Sequence, residues 1–400
     1  MTTSTDKINW GAPFETIPPD EANEIDEVGA IGKVLQDKRA QAVKNQEGKL
    51  LRGVHAKSHG CVKAEFKIND DIEELYCVGL FAHPGKTHEA WIRFSNAAVL
   101  RENDLKKNRD GVRQNGSRGM AIKVLDVAGV ILSKDNGQQN QDFLMINTPE
   151  FAFANVRDYL RLNKILDLDD LGADPGAYFI PALLAKLGKP EDGEPATKAG
   201  KRKALQAIME SNPLINNLTP DDRNGTFSSA GIAAKISGEI VRNPMQVQYF
   251  GAAPFLFGDG RVMKFSAAPC PATVQIPFDP ITADDPTEDY LRAALRQSME
   301  GEQDLHFDFK VQVRNVDDSG LNIEDATTTW PDEAAKYVPV ARVTIKVPQS
   351  PFTPEAIAHC EQLAFSPWHA LTAHQPLGGI NRLRRKVYSE SARHRSACGY

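Results

Sequence analysis

Hydrophobic positions gather in short strand-like stretches along the first half, including EAWIRFS (89–95), GMAIKVLDV (119–127) and DFLMIN (142–147), and alternate cleanly with polar ones in LHFDFKVQVRN (305–315). Two further apolar runs, EELYCVGLF (73–81) and VILS (130–133), are bounded like the others by Gly, Pro, Asn and Asp. Such stretches between turn residues predict strands, and their close spacing suits an antiparallel barrel or meander. The pattern then changes. VRDYLRLNKIL (156–166), AYFIPALLAKLG (177–188) and KALQAIMES (203–211) repeat at helical spacing, and the polar stretch 188–202 between them predicts a loop. Strand character returns from Met245 to Ala268, where Gly258-Asp259-Gly260 reads as a hairpin turn. DPTEDYLRAALRQSMEG (285–301) predicts a helix with Asp285 as its N-cap. Strands follow at 305–315 and 341–347, then helices near 353–364 and 380–395. The first residues, to about position 25, carry Pro13, Pro18, Pro19 and several acids and read as an arm, with an exposed helix over 31–46. The expectation is an α+β chain in two parts. An N-terminal arm and helix occupy 1–50, and one domain occupies 51–400, built on an antiparallel β-barrel with surrounding helices.

Composition narrows the class. The 400 residues are 41% hydrophobic and 25% charged, as in ordinary globular proteins, and the net charge of −6 argues against a general nucleic-acid footprint. Cys61, Cys77, Cys270, Cys360 and Cys398 are few, scattered and odd in number, so no disulfide framework is expected, and no CxxC pair offers a thiolate zinc site. The opening MTTSTDKINWGAPFE has neither a basic nor an apolar segment of the secretory kind, and no run of 18 apolar residues occurs. A cytoplasmic protein without a membrane span is the resulting expectation.

The chemistry-bearing residues fall at the two ends of the chain. Arg384, Tyr388 and Arg395 are offset by 4 and 11 residues, which places all three on one face of the last helix. Cations beside a phenol favour phenolate, and a phenolate can bind ferric iron. An exposed basic helix with one packed tyrosine fits the same spacing, and the helix by itself leaves both open. In the other half, RGVHAKSHG (52–60) sets Arg52 three residues before His55. WIRFSNA (91–97) places Arg93 and Ser95 on one strand face, and FLMINTPEFAF (143–153) ends a strand at Asn147.

Taken in order, VHAKSHG, WIRFSNA, RGMAIKV, NTPEFAF, EQLAFSP and R-x-x-x-Y followed by RHR resemble the haem-dependent catalase family, and in particular its small catalase-related branch. FSPWHALTAHQPLGGINRLRRKVY is typical of that branch, and the likeness runs over about residues 50–397. The resemblance implies haem b as cofactor, with Tyr388 as the iron ligand and Arg384 one turn before it. It implies His55 as distal acid–base residue, oriented by Ser95, with Asn147 as its hydrogen-bonding partner. Arg52, Arg93 and Arg395 would hold the propionates, a role suited to planar guanidinium forks. Val54 and Phe153 would contact the haem. The implied activity is peroxidase or catalase turnover of hydrogen peroxide or an organic hydroperoxide through a ferryl intermediate. A small organic reductant or a lipid hydroperoxide is the further implied partner, with a homo-oligomer as the form of assembly.

Departures from the family pattern carry their own expectations. Only 12 residues follow Tyr388, so the barrel is expected without the C-terminal domains of large catalases. Gly116 stands where the pattern of large catalases has a channel aspartate, which shifts the expectation toward peroxidase turnover. His59 occupies a position usually held by a small residue and reads as structural or as a second pocket group. Two alternatives stay open: a fatty-acid hydroperoxide isomerase or lyase of the allene oxide synthase kind, and a haem-binding protein without catalysis. Val54 cannot hydrogen-bond His55, which favours the peroxide-consuming reading over the first of these.

Overall fold

The computed structural model describes residues 14–42, 52–97, 106–107, 113–114, 116–133, 138–167, 178–275 and 289–397. Eight strands form a closed barrel: β1 (Ser58–Ile68), β2 (Thr87–Asn96), β3 (Arg118–Leu125), β4 (Asn140–Ile146), β5 (Tyr249–Leu256), β6 (Arg261–Pro269), β7 (Leu305–Asn315) and β8 (Val338–Ile345). Each strand pairs antiparallel with its sequence neighbour, and β8 closes on β1. Closure removes the open edges that would otherwise template pairing with other chains. The barrel is filled rather than hollow. Phe66, Phe143, Phe265 and Phe309 meet inside it, with ring centroids 4.6 Å apart for Phe143 and Phe309 and 5.0 Å for Phe143 and Phe265.

Alternation decides what faces out. On β2, Ala90, Ile92 and Phe94 enter the barrel core, so Arg93 and Ser95 project from its outer face. That outer face is covered as well, which is why Ile92 through Asn96 are all buried. Part of the cover is helix α8 (Gly379–Ala397). Helix α1 (Glu21–Ala42) and helix α2 (Val156–Asp167) pack against α8 through Val28, Val156, Leu160 and Leu383. Helices α3 (Ile180–Leu187), α4 (Ala196–Ser211) and α5 (Pro220–Gly238) complete the middle segment. Thr219 caps α5 through a reciprocal box with Asp222. Helix α6 (Tyr290–Met299) lies on β1, and α7 (Pro354–Gln362) starts at Thr353, whose hydroxyl accepts from Ala356 N–H.

Several expectations change. β1 joins the strands, although SHGCVKAEFKI was not assigned one. The run 73–81 is not a strand but two single 3-10 turns, Glu74–Tyr76 and Gly79–Phe81. The backbone here bonds locally instead of across a sheet: Tyr76 N–H donates to Glu73 O and Phe81 N–H to Val78 O, both at 2.9 Å, and Leu80 N–H donates to His374 Nε2 at 3.1 Å. Stretch 130–133 forms only a single bridge, Ile131 to Leu371. Helix α4 begins at Ala196, inside the expected loop 188–202. The N-terminal helix starts at Glu21 rather than Ile31, and the arm before it is anchored: Glu15 and Glu21 both bind Arg382. Residues 43–46 of the expected first helix and the N-cap Asp285 lie outside the described residues. The cysteines include one bonded pair, Cys61 on β1 and Cys360 on α7, with Cα atoms 5.7 Å apart across 299 residues of chain. No spacing rule links cysteines that far apart. Among the described residues no helix is long and apolar enough to cross a membrane.

Candidate functional site

Between the outer face of β2–β5 and helix α8 lies a cavity lined by apolar side chains and a few convergent polar ones, the make-up of small-molecule and cofactor sites. Its barrel wall is Arg93 and Ser95 from β2, Met120 and Ala121 from β3, Leu144 to Ile146 from β4, and Phe250 and Ala252 from β5. Its helix wall is Arg384, Val387, Tyr388, Ser391, Ala392 and Arg395, the i, i+3, i+4, i+7 series that one helix face presents. The expected spacing of Arg384, Tyr388 and Arg395 thus brings all three to one cavity. Arg52, Gly53, Val54 and His55 close one side, and Ala364 with Phe365 another.

His55 sits in the loop leading into β1 with φ of 55°, a left-handed conformation uncommon for a residue with a side chain. Three contacts hold it there. Its N–H donates to Ala97 O at 3.0 Å, its carbonyl accepts from Arg93 Nη1 at 2.8 Å, and its Nδ1 lies 2.9 Å from Ser95 Oγ. Ser95 is therefore the expected orienting partner of the ring. Ser95 pairs with Gly119 on β3, and a Cβ added at Gly119 would fall 2.5 Å from His55 Cε1. The glycine of RGMAIKV leaves room for the ring. Burial, followed by the charges of Arg93, Arg384 and Arg52, pushes His55 down to about 3, so the imidazole is neutral at ordinary pH.

The three arginines expected to bind propionates converge on the end of α7. Arg52 Nη2 donates to the carbonyls of Cys360, Glu361 and Leu363 at 3.1, 3.2 and 2.9 Å. Arg395 Nη1 donates to Glu361 O at 2.8 Å. The Glu361 carboxylate lies 3.5 Å from Arg52 Nε and 3.8 Å from Arg93 Nη2. Two guanidinium charges thus share one carboxylate while Arg395 takes the carbonyl of the same residue, and burial together with Arg52 pushes Arg93 down to about 9, against the pull of Glu361. Arg93 Nε is buried with no hydrogen-bond partner among the described residues. A buried donor left over beside three cations fits an anionic ligand such as the carboxylate of a haem propionate. At Tyr388 burial outweighs the cation: desolvation pushes the phenol up although Arg384 pulls it down. The same burial pushes Arg384 down, opposed by Tyr388 and Tyr159. The expected preference for phenolate is thus reversed in the protein alone.

Two expected residues are not on the cavity lining. Asn147 follows the lining residue Ile146, and its Oδ1 accepts from Arg118 N–H at 2.7 Å and Ser117 Oγ at 3.2 Å. Phe153 packs among Phe151, Tyr159 and Tyr178 of the middle segment. His59 is buried, bonded through Nε2 to Asn96 Oδ1 at 2.9 Å, and is likewise absent from the lining. Two acids were missed. Glu361 lies in the quoted motif EQLAFSP but reads there as a surface helix residue. Glu239 Oε2 accepts from Asn147 Nδ2 at 3.5 Å, so an acid stands beside that residue.

No family model matches the chain. Catalase A of Staphylococcus xylosus is 29% identical over 115 residues, and the catalase of Staphylococcus saprophyticus subsp. saprophyticus 28% over 118. These matches cover 29% and 30% of this chain and 20% of each relative, so the chain aligns with about a fifth of the length of either. A solved bacterial catalase superposes with a TM-score of 0.56 and 17% identity, over 98% of this chain and 64% of that one. Catalase A from Saccharomyces cerevisiae gives 0.58 and 17%, over 89% and 63%. The barrel and its flanking helices are those of the catalase fold.

Proposed function

We propose that this chain, a relative of the catalases by fold and by local sequence match, is a haem-dependent oxidoreductase that consumes hydrogen peroxide. One observation carries the reading: His55, Tyr388 and the Arg52, Arg93 and Arg395 cluster all line a single cavity. Tyr388 is the residue to ligate the iron, and the three arginines are the residues to hold two propionates. When bound, haem b supplies the iron centre that exchanges electrons with peroxide.

The chain's own groups supply the proton chemistry. His55 is neutral, so one ring nitrogen is free to accept a proton while Nδ1 is engaged by Ser95 Oγ. Ser95 fixes the ring plane, and the Arg93 bond to the His55 carbonyl fixes its backbone. With Oδ1 of Asn147 committed to Arg118 and Ser117, its amide nitrogen is the donating end, with one hydrogen directed at Glu239 Oε2 and a second to offer. Val54, beside His55 on the lining, offers no hydroxyl to compete for the imidazole.

Turnover with a reducing organic donor is expected alongside catalase turnover. Among the described residues nothing lies within 4 Å of a side chain added at Gly116, where the pattern of large catalases has an acid. The test compares oxygen release from hydrogen peroxide with oxidation of a bulky phenol and with decay of a bulky hydroperoxide at matched concentration. Phenol oxidation at a rate comparable to oxygen release supports the peroxidase reading. Fast oxygen release with the phenol untouched makes the protein a catalase alone, and loss of the hydroperoxide without donor oxidation moves it to the isomerase class.

A further inference from the structure

We propose that Cys61 and Cys360 are a peroxide-responsive thiol–disulfide pair that clamps the arginine cluster and so sets how firmly the cavity holds its cofactor. The cofactor half of this statement rests on the haem reading above; the clamp does not. The bond joins β1 to the last turn of α7. Cys61 lies directly opposite Arg93 in the barrel register. Cys360 precedes Glu361, and the short run 360–363 supplies the carbonyls that take Arg52 and Arg395 and the carboxylate beside Arg52 and Arg93. The contacts that bring the three arginines together at Glu361 thus lie within three residues of the sulfur.

Apart from the disulfide, the segment is held by those arginine contacts and by His359 packed on Trp91 at 4.6 Å between ring centroids. Among the nine residues of α7, Cys360 is the one that is buried. A helix with so few buried contacts opens at small cost once its covalent tie is cut. Opening moves the backbone carbonyls of 360–363 and Glu361 away from the arginines and loosens the site where carboxylates would bind.

The chemistry closes with the proposed substrate as oxidant. One thiolate attacks a peroxide oxygen, the O–O bond breaks, and water leaves a sulfenic acid. The second thiol attacks that sulfur, the S–S bond forms, and a second water leaves. Two thiols and one hydrogen peroxide thus give one disulfide and two waters. A dithiol or phosphine reductant reverses the step. Both sulfurs are buried, so a molecule as small as peroxide reaches them more easily than a bulky reductant, which needs α7 to lift.

The test uses the full holoprotein carrying Cys77→Ser and Cys270→Ser, so that the described thiols outside the pair do not report. It is prepared oxidised, then reduced with a phosphine, then treated with a sustained supply of hydrogen peroxide. Hydrogen exchange over residues 354–365 and the rate of haem transfer to an apo-globin acceptor are read in each state. Reduction is expected to raise exchange in that segment and to speed haem release by at least about tenfold, the loss of one charge-assisted hydrogen bond, with peroxide restoring both. Cys360→Ser should match the reduced state. Equal exchange in the oxidised and reduced proteins overturns the clamp, and thiols that peroxide does not reoxidise overturn the switch. If the protein takes up no haem, the exchange measurement still decides the clamp, and the haem reading alone fails.

Discussion

The two walls of the cavity are built on different physics. The barrel wall is held by backbone. His55 is fixed in a left-handed loop by its own N–H and carbonyl, and its ring lies over Gly119 on a strand paired on both sides. The helix wall is held by charge. Arg382 on α8 binds Glu21 through Nε at 2.5 Å, Glu15 through Nη1 at 2.5 Å and Glu324 through Nη2 at 2.6 Å, while Lys386 pairs with Asp26 and His394 with Asp37. A wall of paired strands tolerates no displacement but requires no partner. A wall tied by ion pairs depends on distant segments, here an arm more than 350 residues away in sequence. The residue proposed to handle protons, His55, stands on the rigid wall, and the proposed iron ligand, Tyr388, on the tethered one.

The largest effect should come from the rigid wall. His55→Ala removes the general base and is expected to slow peroxide consumption by roughly 10²–10⁴ with haem still bound, read by stopped flow. Retention of the wild-type rate would move the base elsewhere. On the tethered wall, Arg382→Met leaves three carboxylates without their shared cation. Breaking one partner out of a buried ion cluster costs about 3–5 kcal/mol, so the midpoint of urea unfolding should fall and haem occupancy with it. Stability close to wild type would show that the arm is not what seats α8. Gly119→Ala sharpens the contrast, because it should leave haem binding unchanged while displacing the His55 ring. A shift of about 1 Å in a catalytic group can lower the rate by around a hundredfold.

The smallest effect is one of pH. Burial pushes His55 down to about 3, so the base stays unprotonated from neutral pH to well below the ordinary histidine range. Peroxide turnover should therefore show no shoulder near 6.5. Stability behaves differently. His374 is pushed down to about 4 and His59 is also lowered, both chiefly by burial. A depressed histidine stabilises the fold fully above its unfolded value, and that contribution fades as pH falls from about 6.5 toward the folded value. Thermal midpoints should accordingly drop between pH 6 and 4 while the turnover rate of the still-folded fraction holds.

The same contrast explains what could be read from sequence. The face shared by Arg384, Tyr388 and Arg395 was legible because helical spacing alone brings them together. Arg93 and Ser95 were legible because strand alternation puts them on one side. Glu361 was not, since its part depends on backbone carbonyls at a helix end, which carry no side-chain signature. The tie from Glu15 and Glu21 to Arg382 and the bond from Cys61 to Cys360 join points some 300 or more residues apart, beyond any local pattern. The run 73–81 misled because its apolar residues plug the barrel in turns instead of alternating across a sheet.

The central claim is that Tyr388 faces, and ligates, a haem in the cavity between these walls. The most direct measurement is the optical spectrum and haem content of Tyr388→Phe beside the wild-type protein after reconstitution with haem b. The account predicts a Soret band with a five-coordinate high-spin ferric spectrum and one haem per chain in the wild type, and loss of that spectrum with greatly weakened retention in the variant. An unchanged ferric spectrum and full haem content in Tyr388→Phe would contradict it.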